Sequence, residues 1–279
     1  MVKKILTIVI ITGIISVATA FSPEKSVYNP ANAGKSFETE SIIVAEEEKN
    51  TNDVSATQMP DFSRLNGGKL LKTRFFEFLK PIVEAENERV LSQRRFIKRS
   101  YVAFKNDWQL NDDHIARLNK IAREYRLPVK EAYTSKDFRG LLMRVDKVPE
   151  TLALIQAANE SAWGTSYFAR EANNLFGQWC FTEGCGVVPR RRAEGATHEI
   201  KKFNTVNEAV RGYIRNLNTH AAYSYFRNLR YEARQSGEPL DSHYLAIGLQ
   251  KYSQKGMEYV SIIRSMINSN KNLLAEMNQ

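Results

Sequence analysis

From Lys69 onward, apolar residues recur at steps of three and four. Leu71, Phe75, Phe78 and Ile82 make one stripe, the spacing of a helix with a single buried face. Pro81 falls inside that stripe and is expected to kink or divide the helix, because its ring removes a hydrogen bond and crowds the preceding turn. Asn111-Asp112-Asp113 offers N-cap chemistry for a second helix, in which Ile115, Leu118, Ala122 and Tyr125 share a face until Pro128 stops it. A short third helix is expected around Phe138 to Val145, after Thr134-Ser135. Pro149 and Glu150 suit the first turn of a fourth. Leu152, Ile155, Ala158 and Ala162 give that helix its buried face, and Gly164 ends it.

The rhythm changes between Gly177 and about Phe203, where Gly184, Gly186 and Gly195 separate short runs such as Gly186-Val187-Val188 and His198-Glu199-Ile200. This reads as a loop and a β-hairpin. Thr205-Val206-Asn207-Glu208 is a capping box, and Val206, Val210, Tyr213 and Leu217 continue it as a helix. Helical pattern returns at Tyr244 to Lys251 and from Met257 to Ile267. Helices, one small β excursion, then helices again predict a mostly helical α+β chain.

The start of the chain has no such period. Met1-Val2-Lys3-Lys4, an apolar run from Ile5 to Val17 and the small residues Ala18-Thr19-Ala20 read as a cleaved secretory leader, residues 1–20. An uncleaved anchor is the other reading, although the run is short for a span of about 20 residues. Residues 21–68, with Pro23, Pro30, Pro60 and a Glu46-Glu47-Glu48 run, read as a disordered linker. Residues 69–147 then form a helical N-terminal region, and 148–279 a C-terminal domain.

Export changes what the charge means. The formal charge is +9, of which Lys3 and Lys4 of the leader carry two, leaving +7. In a periplasmic or secreted protein this sets nucleic acid aside as a partner. It suits an anionic envelope polymer, or simply serves solubility; no membrane association is expected once the leader is removed. Cys180 and Cys185 are expected to form a local disulfide in an oxidising compartment. A metal pair is the weaker alternative, since the four histidines show no ligand spacing.

The candidate chemistry centres on Glu160. It lies in the last turn of an apolar helix, where the negative end of the dipole disfavours a charged carboxylate. Trp163, three residues on, is expected to share its face and shield it. Both effects favour the protonated carboxyl that a glycosidase donates. The bland alternative for a lone helical glutamate is a solvated surface group.

Ala157-x-x-Glu160-Ser161-x-Trp163-Gly164-x-Ser166, followed by Asn174-Leu175-Phe176-Gly177, resembles the glucosaminidase domain of glycoside hydrolase family 73, of lysozyme-like fold. The likeness runs on through Asn216-Leu217-Asn218-Thr219-His220-x-x-Tyr223 and Tyr252-Ser253-x-x-Gly256-x-x-Tyr259. With the helices from about residue 69 it extends to the bacterial Bax proteins, covering about 69 to 270. Lytic transglycosylases share Glu-Ser but continue into a Gly-Leu-Met-Gln motif, which is missing here.

The resemblance implies hydrolysis of the β-1,4 bond after N-acetylglucosamine in peptidoglycan glycan strands, with no metal and no organic cofactor. Glu160 would be the general acid, and a second group must stabilise the transition state or activate water. Related enzymes place an acid on the hairpin; here Pro189-Arg190-Arg191-Arg192-Ala193-Glu194-Gly195 puts arginine there, with Glu194 expected at the tip. Three options stay open: Glu183 or Glu194 on a mobile lobe, the substrate's own acetamido oxygen, or Tyr223 beside Glu160. Trp163, Asn174, Gln178 and Trp179 are the candidate sugar contacts, with Trp163 and Phe176 alternatively core packing, Asn174 a turn residue, and the arginine triplet a site for wall carboxylates or a solvated edge. A noncatalytic wall-binding scaffold and a lytic transglycosylase remain the alternative functions.

Overall fold

A computed structural model describes residue 56 and residues 58–65, 67–189, 192 and 195–277. The expected leader and most of the expected linker lie outside the described residues. The end of that linker is packed structure. Phe62–Arg64 forms a 3-10 turn capped by Asp61, and Met59 and Phe62 are buried in the core. The Met59 amide donates to Asn173 Oδ1 at 3.1 Å. Two apolar side chains in a polar stretch gave too short a pattern to be recognised.

The first long element, α1 (Gly68–Lys105), runs unbroken for 38 residues with Pro81 inside it. The expected division does not occur, because Phe75, Phe76, Leu79, Ile82 and Val83 bury the turns on both sides of the proline, which outweighs one lost hydrogen bond. The next helices are α2 (Asp112–Glu124), capped by Asn111, and α3 (Ser135–Arg144), where Thr134 and Asp137 form a capping box. Then comes α4 (Glu150–Ser161). Residues Leu152 to Ala158 of α4 are all buried, so this is a core helix enclosed on every side rather than one with a single apolar stripe.

After α5 (Tyr167–Ala172), the strands β1 (Trp179–Cys180), β2 (Gly186–Val187) and β3 (Glu199–Lys201) form an antiparallel sheet in the order β1-β3-β2. The expected hairpin is thus three-stranded, with β3 central. Cys180 and Cys185 are disulfide-bonded, 6.2 Å between Cα atoms. The Glu199 carboxylate accepts from the amides of Gly184 at 3.0 Å and Gly186 at 2.7 Å, which hold it below the usual carboxylate range. Cys180→Ser is expected to cost about 2 kcal/mol, the chain-entropy value of so small a loop. A melting temperature equal to that of the oxidised wild type would count against the bridge.

The chain ends in α6 (Val206–Thr219), α7 (Ser224–Gln235), α8 (Ser242–Leu245), α9 (Met257–Ser269) and α10 (Lys271–Glu276), with 3-10 turns at Ala221–Tyr223 and Ala246–Leu249. In the cap of α6, Thr205 Oγ1 accepts from the Glu208 amide, while Glu208 reaches back to the Asn204 amide at 2.9 Å instead of the cap's own. Helix α7 has no counterpart in the sequence reading. Its buried face is Phe226, Arg227, Leu229 and Arg230, so half of its stripe looks polar.

Helix α4 is the hub: α1 and α9 both pack on it, and α1 also covers α6 and α3. The cluster of buried apolar residues runs without interruption across residue 147, from α1 to α10. The entry to α4 is held by side chains instead of secondary structure. Asn87 brackets Val148, accepting from its amide at 3.1 Å and donating to its carbonyl at 2.8 Å. Arg230 donates to the carbonyls of Asp146 and Lys147 at 3.1 and 3.0 Å. Arg234 chelates the Asp146 carboxylate at 3.1 and 3.0 Å, and Arg94 lies 3.5 Å away.

The exit from α4 is equally constrained. Ala162, Trp163 and Gly164 all take left-handed φ, 51°, 60° and 76°. Ser161 Oγ donates to the Ala157 carbonyl at 2.6 Å and accepts from the Gly164 amide at 2.8 Å. Helix α4 therefore stops at Ser161, and Ala162, expected on its buried face, swings out to solvent. A Cβ at Gly164 would sit 2.7 Å from the Phe62 ring and 2.9 Å from Met59 Cε. Gly164→Ala is expected to cost roughly 2–4 kcal/mol through backbone strain and overpacking, measurable by denaturant unfolding.

Candidate active site

Glu160 stands half-buried in the last turn of α4. Asn159 Nδ2 donates to its Oε1 at 3.0 Å. Its charge reaches four phenols drawn from separate elements: Tyr213 of α6, Tyr223 of the 3-10 turn, Tyr252 in the segment before α9, and Tyr259 of α9. Burial, with the Glu160 charge adding to it, pushes all four above the ordinary phenol range. Tyr223 is pushed up to about 12, although a hydrogen bond with Asn216 pulls the other way. Four neutral phenols therefore lie within the electrostatic reach of one carboxyl group. Gly177 completes the wall: with φ 63°, it brings the backbone so close that an added Cβ would lie 3.6 Å from Glu160 Oε2.

Behind the carboxyl is a buried chain of hydrogen bonds. Tyr213 OH donates to Gln156 Oε1 at 2.6 Å, Gln156 Nε2 donates to the Tyr259 hydroxyl at 2.9 Å, and the Glu160 charge bears on Tyr259 in turn. Sequence reasoning gave Gln156 and Tyr259 no role. The available signal was a lone amide in an apolar run, four residues before Glu160 and hence on its face. Tyr252 OH donates to the Phe176 carbonyl at 2.9 Å, and Phe176 stacks on Tyr213 at 4.0 Å, which makes Phe176 a packing residue.

Of the sequence-predicted residues, Tyr223 is buried in the 3-10 turn and lies within reach of the Glu160 charge. Trp163 is elsewhere: its ring meets Phe75 and Phe76 edge-on at 5.9 and 5.3 Å, with Lys72 Nζ 5.0 Å from its centroid. The expected shielding of Glu160 by Trp163 through helical spacing is corrected, because α4 ends two residues before it. Asn174 is also corrected as a sugar contact. It is buried, its Nδ2 donates to the carbonyls of Gln178 and Lys201, both at 2.8 Å, and its Oδ1 accepts from the Gln178 amide, so both amide protons are spent. Gln178 is pinned to α6, donating from Nε2 to the Ala209 carbonyl at 3.0 Å.

Trp179 opens onto solvent, 54% exposed, and stacks on His198 with centroids 4.2 Å apart. Glu194, with Arg190 and Arg191, lies outside the described residues. Glu183 is exposed in the disulfide-closed loop. Cys180, Cys185 and Glu199 bring their ligand atoms within 4.8 Å of one another, but sulfurs joined to each other are not thiolate ligands. Among the described residues, no helix is long and apolar enough to cross a membrane.

Residues 136–272 match the family model described as mannosyl-glycoprotein endo-beta-N-acetylglucosaminidase, beginning at α3. A curated relative, Protein bax of Escherichia coli (strain K12), is 30% identical over 233 residues, covering 84% of this chain and 82% of that protein. No solved structure matches the chain. The mostly helical fold with its three-stranded lobe and these two likenesses agree: the chain belongs to the family of Bax-like proteins carrying a glucosaminidase domain, a family of glycosidases.

Proposed function

We propose that the protein is an exported peptidoglycan hydrolase that cleaves the β-1,4 bond after N-acetylglucosamine, with Glu160 as the general acid. The reading is supported by the position of Glu160: one half-buried carboxyl group at the end of a core helix, its charge felt by four neutral phenols, in a glucosaminidase-family domain. Glu160 would protonate the glycosidic oxygen, its O–H bond breaking as the C–O bond to the leaving sugar lengthens. Tyr223, a neutral donor in the field of Glu160, would orient the attacking water or a sugar hydroxyl. The Trp179–His198 pair offers an exposed aromatic face on the lobe for a sugar ring along the same strand. The basic charge of the chain, +9 before loss of the leader, suits an anionic wall polymer.

Mass spectrometry of fragments released from purified sacculi tests the reading. Hydrolysis leaves a reducing N-acetylglucosamine end. A 1,6-anhydro end would instead identify a transglycosylase, and intact polymer a binder.

A further inference from the structure

We infer that Gln156 and Tyr259 are positioning residues for Glu160: they aim the Tyr259 proton at the carboxylate that Glu160 becomes when it gives its own proton away. The inference rests on the reading of Glu160 as the acid and adds a device that the family likeness does not describe.

The device follows from counting protons. Gln156 is fully buried and lies one turn before Glu160, on the same face of α4. Its amide is fixed at both ends, by the Tyr213 hydroxyl on Oε1 at 2.6 Å and by the Tyr259 oxygen on Nε2 at 2.9 Å. A phenol carries one proton and can also accept. With the Gln156 N–H occupying the Tyr259 oxygen as acceptor, the single Tyr259 proton is left for Glu160. Turning the amide over would present Oε1 to Tyr259, draw that proton away from Glu160, and strip the Tyr213 proton of its acceptor in a fully buried place. Tyr213 thus locks the amide, and the amide locks Tyr259.

Proton transfer makes this matter. When the Glu160 O–H bond breaks, the electron pair stays on the carboxyl group and the proton goes to the leaving oxygen. Asn159 Nδ2 already donates to that group at 3.0 Å, and the Tyr259 proton, left free by the Gln156 contact, is the second donor assigned to it. Donors that engage the charged form more strongly than the neutral one lower the barrier to forming it. The titratable groups facing Glu160 are Tyr213, Tyr223, Tyr252 and Tyr259, and Tyr259 in turn faces Tyr213 and Tyr252. All four phenols are held above the ordinary range, so none of them loses its proton near neutral pH.

The test is steady-state kinetics across pH on soluble glycan strands from purified sacculi, with folding monitored by circular dichroism. Tyr259→Phe is expected to lower kcat about tenfold, the size of one charge-assisted hydrogen bond, with KM unchanged. The sign of the pH effect is fixed: losing a donor to the charged form lets the protonated acid persist to higher pH. The alkaline limb of the profile therefore moves up by about one unit. Tyr213→Phe, which leaves Tyr259 in place but unlocks the amide, should move both quantities the same way by less, and it decides the matter if Tyr259→Phe does not fold. Folded variants with wild-type kcat and an unmoved limb, or with kcat lowered but the limb unmoved, overturn the positioning role while Glu160→Gln stays inactive. An active Glu160→Gln would instead overturn the assignment of the acid itself.

Discussion

Glu160→Gln is expected to reduce release of soluble fragments from purified sacculi by about 10²- to 10⁴-fold, the usual worth of a positioned general acid. The substitution keeps the size and shape of the side chain. Its amide oxygen can still accept from Asn159 Nδ2, now 3.0 Å from Glu160 Oε1. No proton is available to pass to the glycosidic oxygen. Folding and retention on insoluble wall should therefore match the wild type, so the loss will lie in kcat. Digestion at the wild-type rate would remove Glu160 from the chemistry.

The largest expected effect on stability lies far from that chemistry. Asp146→Ala should cost about 3–5 kcal/mol, because it leaves buried arginines without their counter-charge. Asp146 is 1% exposed and Arg230 equally so. Burial alone would raise the aspartate. The Arg230 charge, the Arg234 hydrogen bonds and the Arg94 and Arg234 charges outweigh it and hold the carboxyl below its ordinary value. A carboxylate so depressed contributes stability that is complete above the unfolded value of about 3.9 and is lost as pH falls through the lower native value. Wild-type stability should thus decline on acidification in that window, and Asp146→Ala should be flatter there. Urea unfolding at neutral and acidic pH measures both effects; equal midpoints for the two proteins at neutral pH would show that the cluster is not holding the entry to α4.

Elements whose caps and stripes agree are readable from the sequence. Asn111, Thr134 and Thr205 each mark a helix start that the fold keeps. Reading fails where burial and polarity part company. Helix α7 hides behind Arg227 and Arg230, whose guanidinium groups are spent on carbonyls of the chain. The candidate acid Glu160 could be singled out because a helix end and a motif coincide there. Its surroundings could not, because they depend on tertiary geometry. Three left-handed residues turn Trp163 away, and the phenols that replace it come from segments 53 to 99 positions further along the chain.

The long proline-containing helix decides what can be cut away. The region shared with the glucosaminidase family begins at residue 136, yet α1, which roofs α4 and α6, ends at Lys105. A fragment trimmed to the shared region would be manufactured with its innermost helix laid open to water, and its greasy flank would seek other molecules. The smallest working piece of this protein is therefore considerably larger than its recognisable signature.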